Sequence, residues 1–116
     1  MKTADERKKA LLEGMKDGLI VSCQVQKDDP IYTEDMVVKM AEAAKWAGAV
    51  GIRANSPEQI KAIKEKVDLP IIGLWKIWHE DSDVFITPTL DAAKAVWEAG
   101  AEIIALDCTA QILSLI

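Results

Sequence analysis

The strongest constraint on this chain is a pattern that recurs every 23 to 31 residues: a short apolar run ending in a chemically capable side chain. Leu19-Ile20-Val21 leads to Ser22, Cys23 and Gln24. Ala49-Val50-Gly51-Ile52 leads to Arg53, Ile71-Ile72-Gly73-Leu74-Trp75 to Lys76, and Ile103-Ile104-Ala105-Leu106 to Asp107. Segments with helical spacing lie between these runs. Such alternation with short connections predicts right-handed crossovers and a parallel α/β sheet. Side chains at one end of such a sheet converge, so four residues remote in sequence become candidates for one site.

The connecting segments carry helix signals. Thr3-Ala4-Asp5-Glu6 has the form of a capping box and opens a helix to about Lys16, with Leu11, Leu12 and Met15 on one side. Asp17-Gly18 ends it. Thr33 is expected to cap a second helix carrying Met36, Val37, Met40, Ala41 and Ala44, and Gly48 suits its C-terminal turn. Ser56-Pro57-Glu58-Gln59 predicts a third start, with Ser56 as cap, Pro57 in the first turn and Gln59 completing a box. Ile60, Ile63 and Val67 form its buried stripe. Thr89 caps a fourth helix whose inner face is read as Leu90, Ala93, Val96 and Trp97. Between Ile77 and Pro88 lies a longer excursion in which Val84-Phe85-Ile86 is read as a short extra strand. The similar Ala47-Gly48-Ala49 and Ala99-Gly100-Ala101 joints lend slight support to a repeated βα unit.

The chain has 116 residues, half of them hydrophobic, which suits one domain with a small core. Its net charge of −5 comes from intermixed acids and bases, with no basic stripe of the kind nucleic acid requires. No apolar run reaches the roughly 18 residues that span a bilayer, and Met1 to Lys16 lacks a secretory apolar region, so a cytoplasmic protein is expected. Cys23 and Cys108 lack metal or redox spacing and are read as reduced, buried thiols. His79 is the single histidine, and the sequence offers no support for pairing it with Cys23.

Five segments in order resemble the N-acylmannosamine-6-phosphate 2-epimerase family: residues 18–24 (GLIVSCQ), 51–55 (GIRAN), 69–76 (LPIIGLWK), 81–89 (DSDVFITPT) and 103–109 (IIALDCT). The resemblance implies a (β/α)8 TIM barrel, of which this chain would hold an N-terminal half-barrel with strands one to four. The expected organisation is an N-terminal helix over 1–17, the half-barrel over 18–110, and a truncated or aberrant end over 111–116. The implied activity is interconversion of N-acetylmannosamine 6-phosphate and N-acetylglucosamine 6-phosphate in sialic acid catabolism, by deprotonation and reprotonation at C2, without a cofactor. The implied partner is therefore a phosphorylated amino sugar.

By the same resemblance Lys76 matches the catalytic lysine, Gln24 and Arg53 match substrate-holding residues, and Asp107 takes a supporting place in substrate binding. Proton removal from a weak carbon acid needs a positioned base and stabilisation of developing negative charge. A lysine can serve if partial burial and a neighbouring cation, such as Arg53, lower its pKa. Arg53 could equally fork onto substrate oxygens, and Gln24 offers both a donor and an acceptor.

The chain departs from the family pattern at Ile77-Trp78-His79, where polar or basic residues with a tyrosine are usual. The family also carries a catalytic glutamate and a phosphate grip in its second half, beyond the matched segments, so this chain by itself is expected to be inactive.

Plainer readings stand beside these. Lys76 could be a snorkelling lysine at a strand end, Arg53 a surface ion-pair residue, and Asp107 a helix cap. Trp75 and Trp78 are read as packing residues rather than a sugar platform, and Glu80, Asp81 and Asp83 as a charged loop rather than a metal site. The alternative functions are a non-catalytic half-barrel or assembly module, another phosphosugar-binding barrel, or an open flavodoxin-like sheet. Four strands leave two unpaired edges, so self-association is expected.

Overall fold

The computed structural model describes residues 2–108. A first helix, α1 (Ala4–Met15), precedes three βα units and a final strand. The units are β1 (Ile20–Ser22) with α2 (Met36–Trp46), β2 (Gly51–Asn55) with α3 (Pro57–Lys66), and β3 (Ile71–Leu74) with α4 (Leu90–Glu98); β4 (Ile103–Ile104) closes the order. The strands form one parallel sheet in the order β1-β2-β3-β4. This is the arc that the repeating apolar runs predict. The expected end segment 111–116 lies outside the described residues.

Local chemistry explains most boundaries. Thr3 Oγ1 accepts from the Glu6 amide at 3.1 Å and Glu6 Oε2 accepts from the Thr3 amide at 3.1 Å, so the capping box at α1 is complete. Gly48 and Gly100 adopt φ of 99° and 116° after α2 and α4, a region open to glycine without a Cβ penalty. Thr89 caps α4 by accepting from the Ala92 amide.

Thr33 does not cap α2. Its hydroxyl donates to Asp35 Oδ1 while its carbonyl accepts from the Met36 amide, forming a separate turn, and the helix begins only at Met36. The bond turns the Thr33 hydroxyl toward the Asp35 side chain, and the N-cap position passes to Asp35, which makes no side-chain cap bond.

The register sorts the two faces of the sheet. Ser22 pairs with Arg53, Arg53 with Ile72, and Ile72 with Ile103, so these four form one row across the strands. Strand residues alternate faces. The intervening set (Cys23, Ile52, Ala54, Ile71) packs against Val37 and Ala41 of α2, Ile60 and Ile63 of α3, and Val96 of α4. All of these are buried to within 2 % exposure.

Gly73 is required on that face, because an added Cβ would stand 2.7 Å from Ala101 Cβ and Val96 Cγ1 and 2.8 Å from Ile60 Cδ1. The buried stripe of α4 is Ala92 and Val96. Leu90 and Trp97, expected inward, are 54 % and 61 % exposed and flank a groove beside Ile104. The apolar arc of this helix is wider than the surface available to cover it.

Beneath the opposite face, α1 sets Leu12 and Met15 beside Ile20, Ile72 and Ile103 at the N-terminal end of the strands. At the α3–β4 joint, Glu102 Oε1 pairs with Lys64 while its Oε2 accepts from the Ile71 amide at 2.6 Å; Lys64 also donates to the Leu69 carbonyl. One carboxylate thus ties α3, β3 and the entry to β4.

Candidate functional site

The row Ser22–Arg53–Ile72–Ile103 sets Arg53 on the face away from α2–α4, while Gln24, Lys76 and Asp107 lie just beyond the C-terminal ends of β1, β3 and β4. They stand at different heights. Arg53 is level with Ser22, Gln24 comes two residues later, and Lys76 and Asp107 come four residues after Ile72 and Ile103. Four residues of strand are about 13 Å. Arg53 therefore lies deep on this face and Lys76 at its rim.

A cleft of about 680 Å³ opens at the C-terminal edge of the sheet. Gln24, Asn55, Ser56, Gln59, Lys76 and Trp78 line it, together with the loop from Val25 to Pro30. It brings Gln24 and Lys76 together. Arg53 and Asp107 are not among its lining residues. Lys76 is half-buried, and its amide donates to Asn55 Oδ1 at 2.9 Å, which ties the end of β3 to the end of β2. Asn55 shares the face of Arg53 by alternation and closes the 51–55 motif.

The excursion after Lys76 folds back on itself. Ile77 donates its amide to the Phe85 carbonyl at 2.8 Å, and Thr87 its amide to the Trp75 carbonyl at 2.8 Å. Isolated antiparallel bridges join Lys76 to Ile86 and His79 to Ser82. The extra strand expected over 84–86 is thus reduced to one isolated bridge at Ile86, since no longer ladder supports it.

The returning segment separates two expected site residues. Asp107 donates its amide to the Ile86 carbonyl at 3.1 Å, so Ile86 stands between Asp107 and Lys76. Thr87 locks this arrangement from a buried position: its Oγ1 accepts from the Trp75 amide and donates to the Ala105 carbonyl at 2.7 Å. Its φ of 47° is held by these bonds. No sequence signal marks this threonine beyond its place in the 81–89 motif. Trp75 packs against the core, and Trp78 stacks on Phe85 with centroids 4.8 Å apart while also lining the cleft.

Ser56 sits at φ 76° and ψ 145°, a conformation rare outside glycine. Its amide donates to the Leu74 carbonyl at 2.8 Å and its Oγ accepts from the Gln59 amide at 3.3 Å. With the Ser56 amide engaged by β3, the Gln59 side chain does not return to it. The expected capping box at α3 is half formed. Gln24 Nε2 donates to Ser22 Oγ at 2.9 Å. The buried Oε1 atoms of Gln24 and Gln59 have no hydrogen-bond partner among the described residues.

The charges at the rim are solvated. Lys27 and Glu58 approach at 4.0 Å with side chains 75 % and 83 % exposed, a pair of little energetic weight. Cys23 is fully buried among the helix-facing residues, and burial raises its thiol pKa above 9.0. A neutral thiol on the far face from the cleft is no nucleophile for it. Cys108, expected to be buried, is exposed, because β4 has ended before it.

Residues 37–114 match a family model described as "Putative N-acetylmannosamine-6-phosphate epimerase". A curated relative from Listeria monocytogenes serotype 4b (strain F2365), named "Putative N-acetylmannosamine-6-phosphate 2-epimerase", is 49% identical over 100 residues, 86% of this chain and 43% of the relative. One of the same name from Synechococcus elongatus (strain ATCC 33912 / PCC 7942 / FACHB-805) is 46% identical over 99 residues, covering 84% and 43%. The solved N-acetylmannosamine-6-phosphate 2-epimerase from Clostridium perfringens superposes with a TM-score of 0.81 at 41% identity, covering 85% of this chain and 43% of that one. The chain thus spans less than half the length of the relatives it matches, and its four strands correspond to half of a (β/α)8 barrel.

Proposed function

This chain belongs to the N-acetylmannosamine-6-phosphate epimerase family, and from that premise we propose that it supplies one wall of a site interconverting N-acetylmannosamine 6-phosphate and N-acetylglucosamine 6-phosphate. The observation that carries the reading is the meeting of Lys76 and Gln24 in the cleft at the C-terminal strand edge, with the Lys76 backbone held by Asn55. Catalytic groups of (β/α)8 enzymes gather at that edge.

In this reading Lys76 exchanges the C2 proton. Gln24 orients the sugar through its amide. Arg53, deeper on the open face, holds substrate oxygens or stabilises developing negative charge. Asp107 has a supporting part, reached from the far side of Ile86. The acid/base partner and the phosphate grip belong to the portion of the relatives that this chain does not match. The proposed setting is amino-sugar (sialic acid) catabolism in the cytoplasm; no helix among the described residues is long and apolar enough to cross a membrane.

The test is solvent deuterium exchange at C2 of N-acetylmannosamine 6-phosphate. The chain is assayed alone and with the remaining portion of a full-length relative. Exchange in the reconstituted protein, lost on Lys76→Ala, supports the reading. Absence of exchange in every assembly favours the second reading, a non-catalytic half-barrel that associates through its edges.

The exposed edge residues Leu19 and Ile20, 69% and 38% accessible, support self-association. Sedimentation showing a stable dilute monomer would remove that part.

A further inference from the structure

The half-formed cap at α3 leaves a side chain without structural employment. The Gln59 backbone amide satisfies Ser56 Oγ, but the reciprocal bond is closed off because the Ser56 amide is held by Leu74. The Gln59 carbonyl oxygen is buried and unpartnered among the described residues, and so is that of Gln24. Both residues line the cleft that also holds Lys76, and because the two oxygens themselves are shielded from solvent, a ligand meets them only once the partly exposed side chains turn toward it. For Gln24, rotating the amide by half a turn would set Oε1 against the Ser22 hydroxyl and leave the amide nitrogen in the unpartnered position. Buried polar side-chain atoms in folded proteins are overwhelmingly hydrogen-bonded, so two orphans in one cleft point to a group that completes them.

We propose that Gln59 is a substrate-contacting residue: its amide oxygen and that of Gln24 accept hydroxyl or amide N–H donors from a sugar seated beside Lys76. The substrate class rests on the function proposed above; the contact itself rests on the two orphan oxygens. Carbonyl oxygens repel anions, so this corner takes the neutral, donor-rich part of the ligand and not its phosphate. Gln59 comes from the first turn of a helix, whereas Gln24, Asn55 and Lys76 come from strand ends. It would thus add a contact from outside the sheet and make the cleft selective for a sugar with donors on two sides.

Gln59→Met separates this role from a structural one. Methionine matches the length of glutamine and removes the unpartnered oxygen. A structural glutamine would lower the thermal midpoint when replaced, whereas removal of an orphan buried acceptor leaves the midpoint unchanged or raises it.

Binding of N-acetylmannosamine, N-acetylmannosamine 6-phosphate and inorganic phosphate is followed by calorimetry and by the side-chain amide NMR signals of Gln24 and Gln59. The expected result is a midpoint no lower than wild type and roughly 3- to 10-fold weaker binding of both sugars, the size of one hydrogen bond. Inorganic phosphate affinity should be unchanged. Gln59→Glu keeps an acceptor and should retain the neutral sugar better than its 6-phosphate.

A Gln59→Met protein with a lowered midpoint and unchanged sugar affinity overturns the proposal while the function stands. Sugar binding that depends on Gln59 without C2 exchange in the reconstituted protein leaves the contact standing and removes the function. A wild-type reconstituted protein that binds neither sugar removes both.

Discussion

On the helix-covered face of the sheet, Ile52, Ala54 and Ile71 are wholly shielded from solvent, while the opposite face of the same strands carries Ser22, Arg53 and Asn55. The two faces differ by one residue of register and answer to different physics. The covered face is close-packed, to the point that Gly73 has no room for a methyl group. The cleft at the C-terminal edge, where that open face meets the start of α3, tolerates orphan amide oxygens, a serine at positive φ and a lysine held by its backbone. In the proposed function, stability and chemistry are separated across one sheet. Substitutions on the two faces should therefore move different observables.

The largest expected effect is on the covered face. Ile60 is fully buried between α3 and the sheet. Ile60→Ala should lower unfolding free energy by about 2–5 kcal/mol, combining lost transfer energy with a cavity among close-packed neighbours. Urea or thermal unfolding measures this. A loss below about 1 kcal/mol would mean that the face is loosely packed and the contrast is overdrawn.

Next comes the joint between α3, β3 and β4. Glu102→Ala removes the acceptor of the Ile71 amide and the partner of Lys64, whose side chains are only 31% and 26% exposed. The expected cost is about 1–3 kcal/mol, the range for stranding a buried polar group. Glu102→Gln keeps an acceptor for Ile71 and should cost less. Equal costs for the two variants would show that the ion pair, and not the backbone bond, holds the joint.

Cys23 gives a smaller effect with a distinct pH signature. Burial raises the folded thiol's pKa above the ordinary value of 9.0. Above pH 9 the unfolded chain loses this proton while the folded chain keeps it, so the folded state binds more protons and stability falls as pH rises. The contribution is fully present below pH 9 and lost as pH climbs through the folded pKa. Its slope is at most about 1.4 kcal/mol per pH unit. The difference in unfolding free energy between wild type and Cys23→Ala, followed from pH 8 upward, should therefore shrink. A constant difference would place the thiol in contact with water. Exposed Cys108 should meanwhile react freely with a thiol reagent, and Cys23 slowly.

Much of this division was legible in the sequence because it follows from periodicity. The recurring apolar runs point Arg53 and Lys76 to one end of a parallel sheet, and the capping signals at Thr3, Ser56 and Thr89 agree with side-chain bonds in the fold. Several features were not legible, each because it depends on a contact remote in sequence. Thr33 bonds to the Asp35 side chain, and the helix starts two residues later than its capping signal implies. Gln59 was read as part of a box, which fails because Leu74 claims the Ser56 amide. The separation of Asp107 from Lys76 is set by Ile86 returning from a loop, and strand-end spacing carries no information about such a return. Trp97 was placed inward from its helical spacing, but no described element covers that side of α4 deeply enough to bury it.

The smallest stability effect belongs to the residue with the largest proposed chemical role. Lys76 takes its place through its own amide, which donates to Asn55 Oδ1, and any residue but proline supplies that amide. Lys76→Met keeps the backbone bond and most of the apolar stem, so unfolding free energy should change by less than about 0.5 kcal/mol, while C2 exchange in the reconstituted protein is abolished. Asn55→Ala should do the reverse in kind: it frees the Lys76 amide, costs about 1 kcal/mol, and lowers exchange by displacing a lysine whose chemistry is intact. If Lys76→Met instead destabilised the chain as strongly as Glu102→Ala, the ammonium would be part of the scaffold. The line between the stabilising face and the chemical face would then have to be redrawn through β3 itself.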